Sequence, residues 1–297
     1  MIDRNVVLDS QLLNSLQTCG YKTDLYHNKN LRPNFKAEAL ESGDLLHLIF
    51  KVFYTLRIKR PDLDYYRCVD IAVRLGREHA VLNLQQDVED SEEVIFHATE
   101  YFKFFDGELW TPLHVEKPFA RIIYESDDEN LRVIYEGIVD LVVQSSHGEA
   151  IVDHKSSRRN QDSTYIGLSN QFKGYAYCLD VSDVVINKVG FQKTLKPADR
   201  FRRVPISYDA SVLEEWRSNT IWWAQQLVFY IETETWPQNF TSCDKYSGCI
   251  FNKLCINEPG DSREWLMQNE YIVGKKWSPQ DRDTEFDEKL NEIIKAA

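Results

Sequence analysis

The sequence lacks long apolar runs and any segment that resembles a targeting signal. No stretch approaches the roughly 18 apolar residues that a membrane-spanning helix needs. The first residues, MIDRNVVLDSQ, lack the charged and apolar regions of a secretory signal peptide. We therefore expect a cytoplasmic protein, in the host cytoplasm if a phage encodes it, that has no contact with a membrane. In that reducing compartment the six cysteines are not expected to form structural disulfides, and Cys68 and Cys178, on apolar helix faces, are predicted to be buried thiols.

The sequence is also poor in positive charge. It has 35 Lys and Arg residues against 47 Asp and Glu residues, a net charge of -12. This balance at first argues against a nucleic-acid partner, because phosphate groups attract cations. The sum is not decisive, since divalent cations bound by carboxylates can reverse the sign of the local field. Two basic stretches, KSSRRN with Arg158 and Arg159, and KTLKPADRFRR, are either a substrate-binding surface or solvated surface charge.

Repeats, low-complexity tracts and linkers are absent, and the apolar pattern predicts three regions that form one compact unit. Residues 1–110 are predicted to be helical, residues 111–235 to form a mixed α/β core, and residues 236–297 to form a cysteine-bearing segment with a charged tail. Within the core we expect three strands between residues 114 and 157, a helix at about 165–180, two strands at about 184–207 and a long helix from about residue 211. On that last helix Trp222 and Trp223 are predicted to be core residues rather than a surface on which bases stack.

Two of the predicted strands form a hairpin that carries an aspartate on each strand. If the turn of IYEGIVDLVVQSSHGEAIVDHKSS is centred between Ser146 and His147, Asp140 lies directly opposite Asp153. Directly opposed side chains are about 4.5 to 5.5 Å apart, where like charges repel. Because side chains alternate along a strand, Asp153 and Lys155 share one face, while the residue between them points to the other.

Two carboxylates beside an ammonium group suit Mg²⁺ or Mn²⁺, which are hard cations that take oxygen ligands. Such an ion would lower the pKa of a bound water and neutralise charge on a phosphoryl oxygen, while Lys155 would orient the water or stabilise the developing charge. The alternative is that Asp140 and Asp153 lie at strand ends in solvent, with Lys155 as a surface ion pair. The spacing alone leaves both interpretations open.

The hairpin is part of a longer pattern of five elements. SGDLLH, with Gly43 and His47, comes first, followed by HVEKPF with Glu116, then GIVD, then DHK twelve residues on, and last a helix that carries QFKGY. In this order the elements resemble the PD-(D/E)XK nuclease superfamily, specifically its RecB-like branch, in which D-x-K can replace E-x-K. The resemblance spans residues 43 to 175 and implies a restriction-endonuclease-like fold, with a mixed central sheet flanked by helices.

The resemblance implies a role for each matched residue. Asp140 and Asp153 would ligate the catalytic Mg²⁺ or Mn²⁺ together with the backbone carbonyl of His154. His47 would bind the metal or a phosphate at the edge of the site, and Lys155 would be the catalytic lysine. His47 alone is also consistent with a core or boundary histidine.

The remaining matches imply supporting roles. Glu116 would act in the outer shell or on a second metal, and Gln171 and Tyr175, four residues apart on one helix face, would hold the substrate backbone or orient Lys155. Taken singly, Gln171 and Tyr175 are ordinary helix-surface residues and Glu116 is an ordinary strand-start acid. Asp153 departs from the many relatives with glutamate there, and its shorter side chain leaves the metal geometry open.

Three cysteines close to the C-terminus predict a second metal centre. SCDKYSGCIFNKLC places Cys243, Cys249 and Cys255 at C-x5-C-x5-C, and three thiols this close in an intracellular protein favour a soft metal that needs a fourth ligand, for which Cys19 is the candidate. The pattern resembles the AddB-type and CRISPR-associated exonuclease relatives, which implies a [4Fe-4S] cluster. The usual family spacing is C-x2-C-x5-C, so a Zn²⁺ site and unligated thiols remain alternatives.

Together these patterns predict a metal-dependent DNA nuclease, an exonuclease that acts on single-stranded ends in recombination, repair or replication, with possible protein partners in a recombination complex. One alternative is a catalytically silent DNA-binding or scaffold subunit of a recombination or CRISPR-adaptation complex. Another is a metal-dependent hydrolase of a different phosphate substrate. Cleavage polarity, preference for DNA or RNA, oligomeric state and the number of catalytic metals are left open.

Overall fold

The structure is a computed structural model that describes residues 4–34, 38–83, 88–107, 110–128, 130–158, 165–244, 248–279 and 284–296. Its contacts divide into two compact units. Unit 1 comprises Met1–Lys36, Ala120–Gly137 and Ser211–Pro279, and unit 2 comprises Ala37–Phe119, Ile138–Ala210 and Gln280–Ala297. Across the described ranges, no helix is both long and apolar enough to span a membrane.

The secondary structure alternates between helical and extended segments. The strands are β1 (Arg4–Leu8), β2 (Leu31–Pro33), β3 (Thr111–Ser126), β4 (Leu131–Ser145), β5 (Gly148–Ser157), β6 (Asp183–Gly190), β7 (Phe201–Ser207) and β8 (Tyr271–Val273). The α-helices are α1 (Ser10–Thr18), α2 (Gly20–Thr23), α3 (Glu38–Lys59), α4 (Tyr65–Asn83), α5 (Val88–Phe104), α6 (Asn170–Leu179), α7 (Pro197–Arg200), α8 (Ala210–Thr233), α9 (Asn252–Ile256), α10 (Asp261–Glu270) and α11 (Thr284–Ala296). The mixed α/β fold class predicted from the sequence is confirmed, with a mixed central sheet flanked by helices.

Unit 2 is built on a mixed sheet in the order β4-β5-β6-β7. β5 pairs antiparallel with β4 and parallel with β6, and β6 pairs antiparallel with β7. Apolar residues of α3, α4, α5 and α11 pack on this sheet around Phe50 and Phe53, both fully buried. The segment predicted as a charged tail is therefore in part a helix, because Phe286, Leu290 and Ile294 join the same core.

Unit 1 combines a strand pair with a small apolar cluster. β1 pairs parallel with the first part of β4, from Arg4 opposite Leu131 to Leu8 opposite Tyr135. β2 pairs antiparallel with β8, and Leu25, Leu31, Phe251, Leu254 and Tyr271 form a cluster beside them. The N-terminal region that was predicted to be helical thus also contains two short strands, β1 and β2. The core position expected for Trp222 was wrong, since 51% of that residue is exposed.

Two glycines within long helices allow a test of the helix packing in unit 2. A Cβ atom added to Gly43 of α3 would meet Ser156 Oγ at an ordinary 3.5 Å, whereas one added to Gly76 of α4 would lie 2.5 Å from Ile49 Cγ1. Alanine stabilises a helix relative to glycine, so we expect Gly43→Ala to raise the free energy of unfolding by up to about 1 kcal/mol. Gly76→Ala should lower it by about 1–3 kcal/mol because the core is overpacked. Urea denaturation measures both changes, and equal effects would contradict the close packing of α4 on α3.

Candidate active site

The hairpin of β4 and β5 has the register predicted from the sequence. Leu141 pairs with Val152 and Ser145 with Gly148, around a turn at Ser146 and His147. Gly148 has φ 119°, a backbone conformation that favours glycine, and Ser145 Oγ accepts a hydrogen bond from the His147 N–H at 3.1 Å. Asp140 and Asp153 are the next residues of the two strands beyond the Leu141–Val152 pair, on the side away from the turn.

The Asp153 carboxylate is buried, which is unfavourable for its charged form. Only 1% of its side chain is exposed, and Lys155 Nζ lies 2.7 Å from Oδ2 on the same face of β5. Neither carboxylate oxygen has a hydrogen-bond partner of ordinary geometry among the described residues. Burial, and then repulsion from Asp140, raises the pKa of Asp153 above its usual range. A cation bound here would relieve both penalties.

Asp140 is held by two donors. Its Oδ2 accepts a hydrogen bond from the His154 backbone N–H at 2.8 Å and lies 3.4 Å from His47 Nδ1 on α3. Burial alone would raise the pKa of Asp140, but the His47 charge and hydrogen bond hold it well below its usual range. Burial would likewise lower the pKa of His47, but Asp140 and then Asp153 raise it to about 9. The pair is therefore an imidazolium and a carboxylate near neutral pH.

His154 points away from the two aspartates into a buried polar network, as the alternation along β5 predicts. Its Nδ1 lies 2.8 Å from Asn187 Nδ2, and Asn187 Oδ1 accepts a hydrogen bond from Tyr101 at 2.9 Å. Tyr101 in turn accepts from Arg203 at 2.9 Å, and Phe50 packs 4.3 Å from the His154 ring. Burial lowers the pKa of His154 to about 3, so the ring is neutral. The network holds the face of β5 opposite the two aspartates, and it could not be predicted from the sequence because its members are far apart along the chain.

Helix α6 brings its predicted residues close to one another. Gln171 Nε2 donates to the Tyr175 hydroxyl at 2.8 Å, while Ser169 begins the helix by accepting the Gln171 N–H at 3.3 Å. The ring of Phe172, the next residue on α6, lies 5.8 Å from Lys155 Nζ. Burial would lower the pKa of Lys155, but Asp153 and Asp140 raise it, so the lysine is charged. α6 therefore lies beside the lysine end of the hairpin.

Glu116 contacts a lysine that sequence reasoning missed. Lys51 Nζ lies 2.8 Å from Glu116 Oε2 and 2.7 Å from Asp287 Oδ1. Glu116 has φ 45°, which is uncommon for a residue other than glycine. A small cavity is lined by Lys51 and Glu116 together with His47 and Asp140, so Glu116 borders the same space as the hairpin site. The available signal was the spacing of Lys51, which follows His47 by one helical turn on α3.

Of the two basic residues predicted to bind substrate after the hairpin, the structure describes Arg158. Arg158 pairs with Asp90 at 3.2 Å and with Glu93 at 3.8 Å, both on α5. Arg159 lies outside the described residues. At Arg158 the acidic neighbours offset the charge that would attract a phosphate.

The four predicted cluster cysteines all lie in unit 1, and none forms a disulfide. The Asn239 N–H lies 3.4 Å from Cys19 Sγ, Gln238 Nε2 lies 3.7 Å from Cys255 Sγ, and the Cys249 N–H donates to the Cys243 carbonyl at 2.7 Å. Burial, and then the charges of other members of the set, raises the pKa of the Cys243 and Cys255 thiols. The chain thus brings Cys19 to the C-terminal cysteines across more than two hundred residues. Cys68 and Cys178 are buried, as predicted.

Neither set of side chains is already arranged around a metal. Among the residues that the structure describes, no three His, Cys, Asp or Glu side chains converge closely enough to hold an ion. At the hairpin the reason is visible, since Asp140 is turned to His47 and the His154 N–H, while Asp153 faces Lys155. The donor chemistry nevertheless fits a hard divalent ion, because the buried Asp153 Oδ1 has no hydrogen-bond partner among the described residues and Oδ2 is matched only by the Lys155 ammonium.

Comparisons with known proteins identify a family for this chain. A sequence model of the PD-(D/E)XK nuclease superfamily matches residues 11–256. Among solved structures, a candidate exonuclease from Eubacterium rectale superposes with a TM-score of 0.49 at 11% identity, covering 87% of this chain and 92% of that chain. The protein SSO0001 superposes with a TM-score of 0.34 at 17% identity, covering 62% of this chain and 79% of that chain. No curated protein matches the sequence significantly.

The assignment rests on the sequence model. Its match includes the hairpin with Asp140, Asp153 and Lys155, and also His47, Glu116 and the cysteines. Membership implies phosphodiester hydrolysis, and enzymes of the family generally use Mg²⁺ or Mn²⁺. Since the match covers well over half of the residues, the chain belongs to the PD-(D/E)XK nuclease superfamily.

Proposed function

We propose that this protein is a metal-dependent deoxyribonuclease that degrades single-stranded DNA from its ends. The observation that carries the proposal is the Asp153 carboxylate, which is 1% exposed and which, among the described residues, is matched only by the Lys155 ammonium 2.7 Å from Oδ2, while Oδ1 has no hydrogen-bond partner. Such a group is costly to keep for stability alone, because a buried charge is favourable only when it is well paired. It is suited to a divalent ion, which fits the phosphodiester hydrolysis that superfamily membership implies.

Each side chain of the site has a proposed task. Bound Mg²⁺ or Mn²⁺ would supply a water of lowered pKa and offset negative charge on a phosphoryl oxygen. Asp140, Asp153 and the His154 carbonyl would hold that ion, and the imidazolium of His47 would bind a phosphate oxygen or the edge of the metal site. Lys155, charged and 39% exposed, would direct its ammonium at the attacking water or the scissile phosphate.

The choice of DNA ends rests on the resemblance to the RecB-like branch. Gln171 and Tyr175 would contact the strand backbone or orient Lys155, and Arg158 and Arg159 would add phosphate contacts. Protein partners in a recombination complex would supply further basic surface. Such a surface would help to bind DNA, because this chain has a net charge of -12 and DNA phosphates attract cations.

Linear and circular single strands separate the possible activities. We expect end-labelled linear single-stranded DNA to be degraded with Mg²⁺ or Mn²⁺, while a circular strand of the same sequence and a blunt duplex persist. Loss of the circle would show endonuclease action. Cleavage of a nucleotide or phosphomonoester panel without cleavage of DNA would favour another phosphate substrate. No cleavage at all would leave a silent DNA-binding or scaffold subunit as the better interpretation.

We further infer that Cys19, Cys243, Cys249 and Cys255 bind a [4Fe-4S] cluster. What supports this is the set of four thiols in unit 1 and the N–H groups close to the sulfurs of Cys19 and Cys255. Hydrogen bonds to cysteine sulfur are among the features that tune iron–sulfur clusters. When bound, the cluster would join the N-terminal segment to the segment after α8, since its ligands come from both.

Purification under anaerobic conditions tests the cluster. We expect a brown protein with broad absorption near about 400 nm from charge transfer between thiolate and iron. Cys19→Ser should lose most of the iron and melt at a lower temperature, because a ligand that links two distant segments is removed. The control variant Cys68→Ala replaces a buried thiol that is not one of the four proposed ligands, so this variant should retain as much iron as the wild type. A colourless protein with one equivalent of zinc would establish the zinc alternative instead.

A further inference from the structure

Lys51 lies beside the proposed metal site, although it is not among the residues of the five sequence elements that resemble the nuclease family. It follows His47 by four residues on α3, so both side chains leave the same face of the helix. Only 13% of the Lys51 side chain is exposed, and its ammonium is shared between Glu116 at 2.8 Å and Asp287 at 2.7 Å. Burial would lower its pKa, but Glu116 and Asp287 raise it, so the lysine is charged.

The two acceptors of Lys51 share one cavity, and Glu116 also lines another. One cavity is lined by Lys51 and Glu116 together with His47 and Asp140. A second cavity, of about 400 Å³, is lined by Lys51, Glu116 and Asp287. Glu116 therefore lines both cavities and has access to the hairpin site, whereas Asp287 lines the second cavity. The ammonium lies between them.

A buried ammonium must keep a carboxylate partner, because an unpaired buried charge is very costly. If Lys51 had a single carboxylate partner, separating the two would leave the buried ammonium unpaired. With two acceptors at nearly equal distances, Lys51 can release Glu116 and remain paired with Asp287. The left-handed backbone of Glu116, with φ 45°, is the kind of uncommon conformation that functional positions often require.

We propose that Lys51 is a positioning residue that holds Glu116 at the edge of the metal site and shifts onto Asp287 when the Glu116 carboxylate turns to a divalent ion. This inference rests on the proposed function, since it assumes that the hairpin site takes Mg²⁺ or Mn²⁺. It assigns a task to the C-terminal helix α11, which supplies the second acceptor. Lys51, Glu116 and Asp287 carry a combined charge of -1, so a divalent ion brought beside them is attracted overall.

The test is direct binding of Mn²⁺ to the full chain, measured by the electron paramagnetic resonance signal of the free ion. Asp287→Asn removes the negative charge of the second partner, favours pairing of Lys51 with Glu116 and should weaken Mn²⁺ binding by about 3- to 10-fold. Lys51→Met removes the competing cation and should tighten binding by a similar factor. The two isosteric variants thus shift the dissociation constant in opposite directions. Because loss of charge alone also predicts opposite signs, the dependence of the effect on Glu116 decides the proposal.

A third variant links the effect to Glu116. In a Glu116→Gln background, Asp287→Asn should weaken Mn²⁺ binding by less than half as much, on a logarithmic scale, as it does in the wild type. Circular dichroism and thermal unfolding establish that each variant is folded. If Asp287→Asn leaves binding unchanged, if both single variants change it in the same direction, or if the wild type binds no Mn²⁺, the proposal is overturned. Mn²⁺ binding with the expected opposite shifts but no cleavage of DNA would reject the nuclease proposal alone.

Discussion

Asp153→Asn is expected to abolish cleavage and at the same time to stabilise the protein. The substitution keeps the shape of the side chain but removes the charge that would hold the divalent ion. Loss of the ion removes both the activated water and the charge compensation at the phosphate, so activity should fall by at least about 10³-fold. Direct Mn²⁺ binding should be lost with it.

The gain in stability follows from the burial of the carboxylate. Because burial and Asp140 raise the pKa of Asp153, the native state binds a proton more tightly than the unfolded chain does. The free energy of unfolding therefore falls as the pH rises from the usual aspartate range through the raised pKa. Asp153→Asn removes this pH-dependent fall in the free energy of unfolding. We therefore expect the variant to be more stable than the wild type by about 1–2 kcal/mol at pH 7 without metal.

Glu149→Gln is a matched control, since it removes a carboxylate from the same strand near the hairpin turn. It should leave both activity and the free energy of unfolding nearly unchanged. A version of Asp153→Asn that loses activity because it fails to fold would show a lower melting temperature. That outcome would contradict the predicted gain in stability, and normal turnover would contradict the assignment of Asp153 as a ligand.

Lys155→Met is expected to reduce cleavage and stability together while keeping the metal. Its ammonium lies 2.7 Å from Oδ2 of Asp153. Without it, cleavage should fall by about 10²- to 10³-fold, as for removal of one group that stabilises developing charge. Mn²⁺ binding should be retained or become tighter, since a neighbouring positive charge is lost.

The stability change in Lys155→Met comes from the partner left behind. Removing one member of a buried ion pair leaves the other uncompensated, which typically costs about 3–5 kcal/mol. The Lys155 side chain is 39% exposed, so solvent screening reduces the expected loss to about 1–3 kcal/mol. The double variant Asp153→Asn/Lys155→Met should recover most of it. Additive effects of the two changes would show that the residues do not interact.

The hairpin could be predicted closely because its signals are local. Alternation of apolar residues, a two-residue turn and Gly148 together determine the register, and the register determines the positions of Asp140 and Asp153. The same alternation correctly separates Lys155 from His154. Local periodicity likewise predicted α6, α8 and the strands β3 to β7.

Features that depend on distant contacts could not be predicted. Strand β1 is five residues long and exists because β4 offers a parallel partner. The contact of Asp287 with Lys51 joins positions far apart in the chain, and helix α11 was mistaken for a charged tail because charged residues surround its apolar positions. Asn187, which contacts the His154 ring, has no local signature at all.

The central question is whether the hairpin carboxylates form a working active site. The most direct measurement is the release of product from end-labelled single-stranded DNA by wild type and Asp153→Asn, each with Mg²⁺ and with a chelator. We predict product only from wild type with Mg²⁺, while Asp153→Asn, folded and at least as stable, gives none. Equal product from both proteins, or product that persists with the chelator, would contradict a metal-dependent site at Asp140 and Asp153.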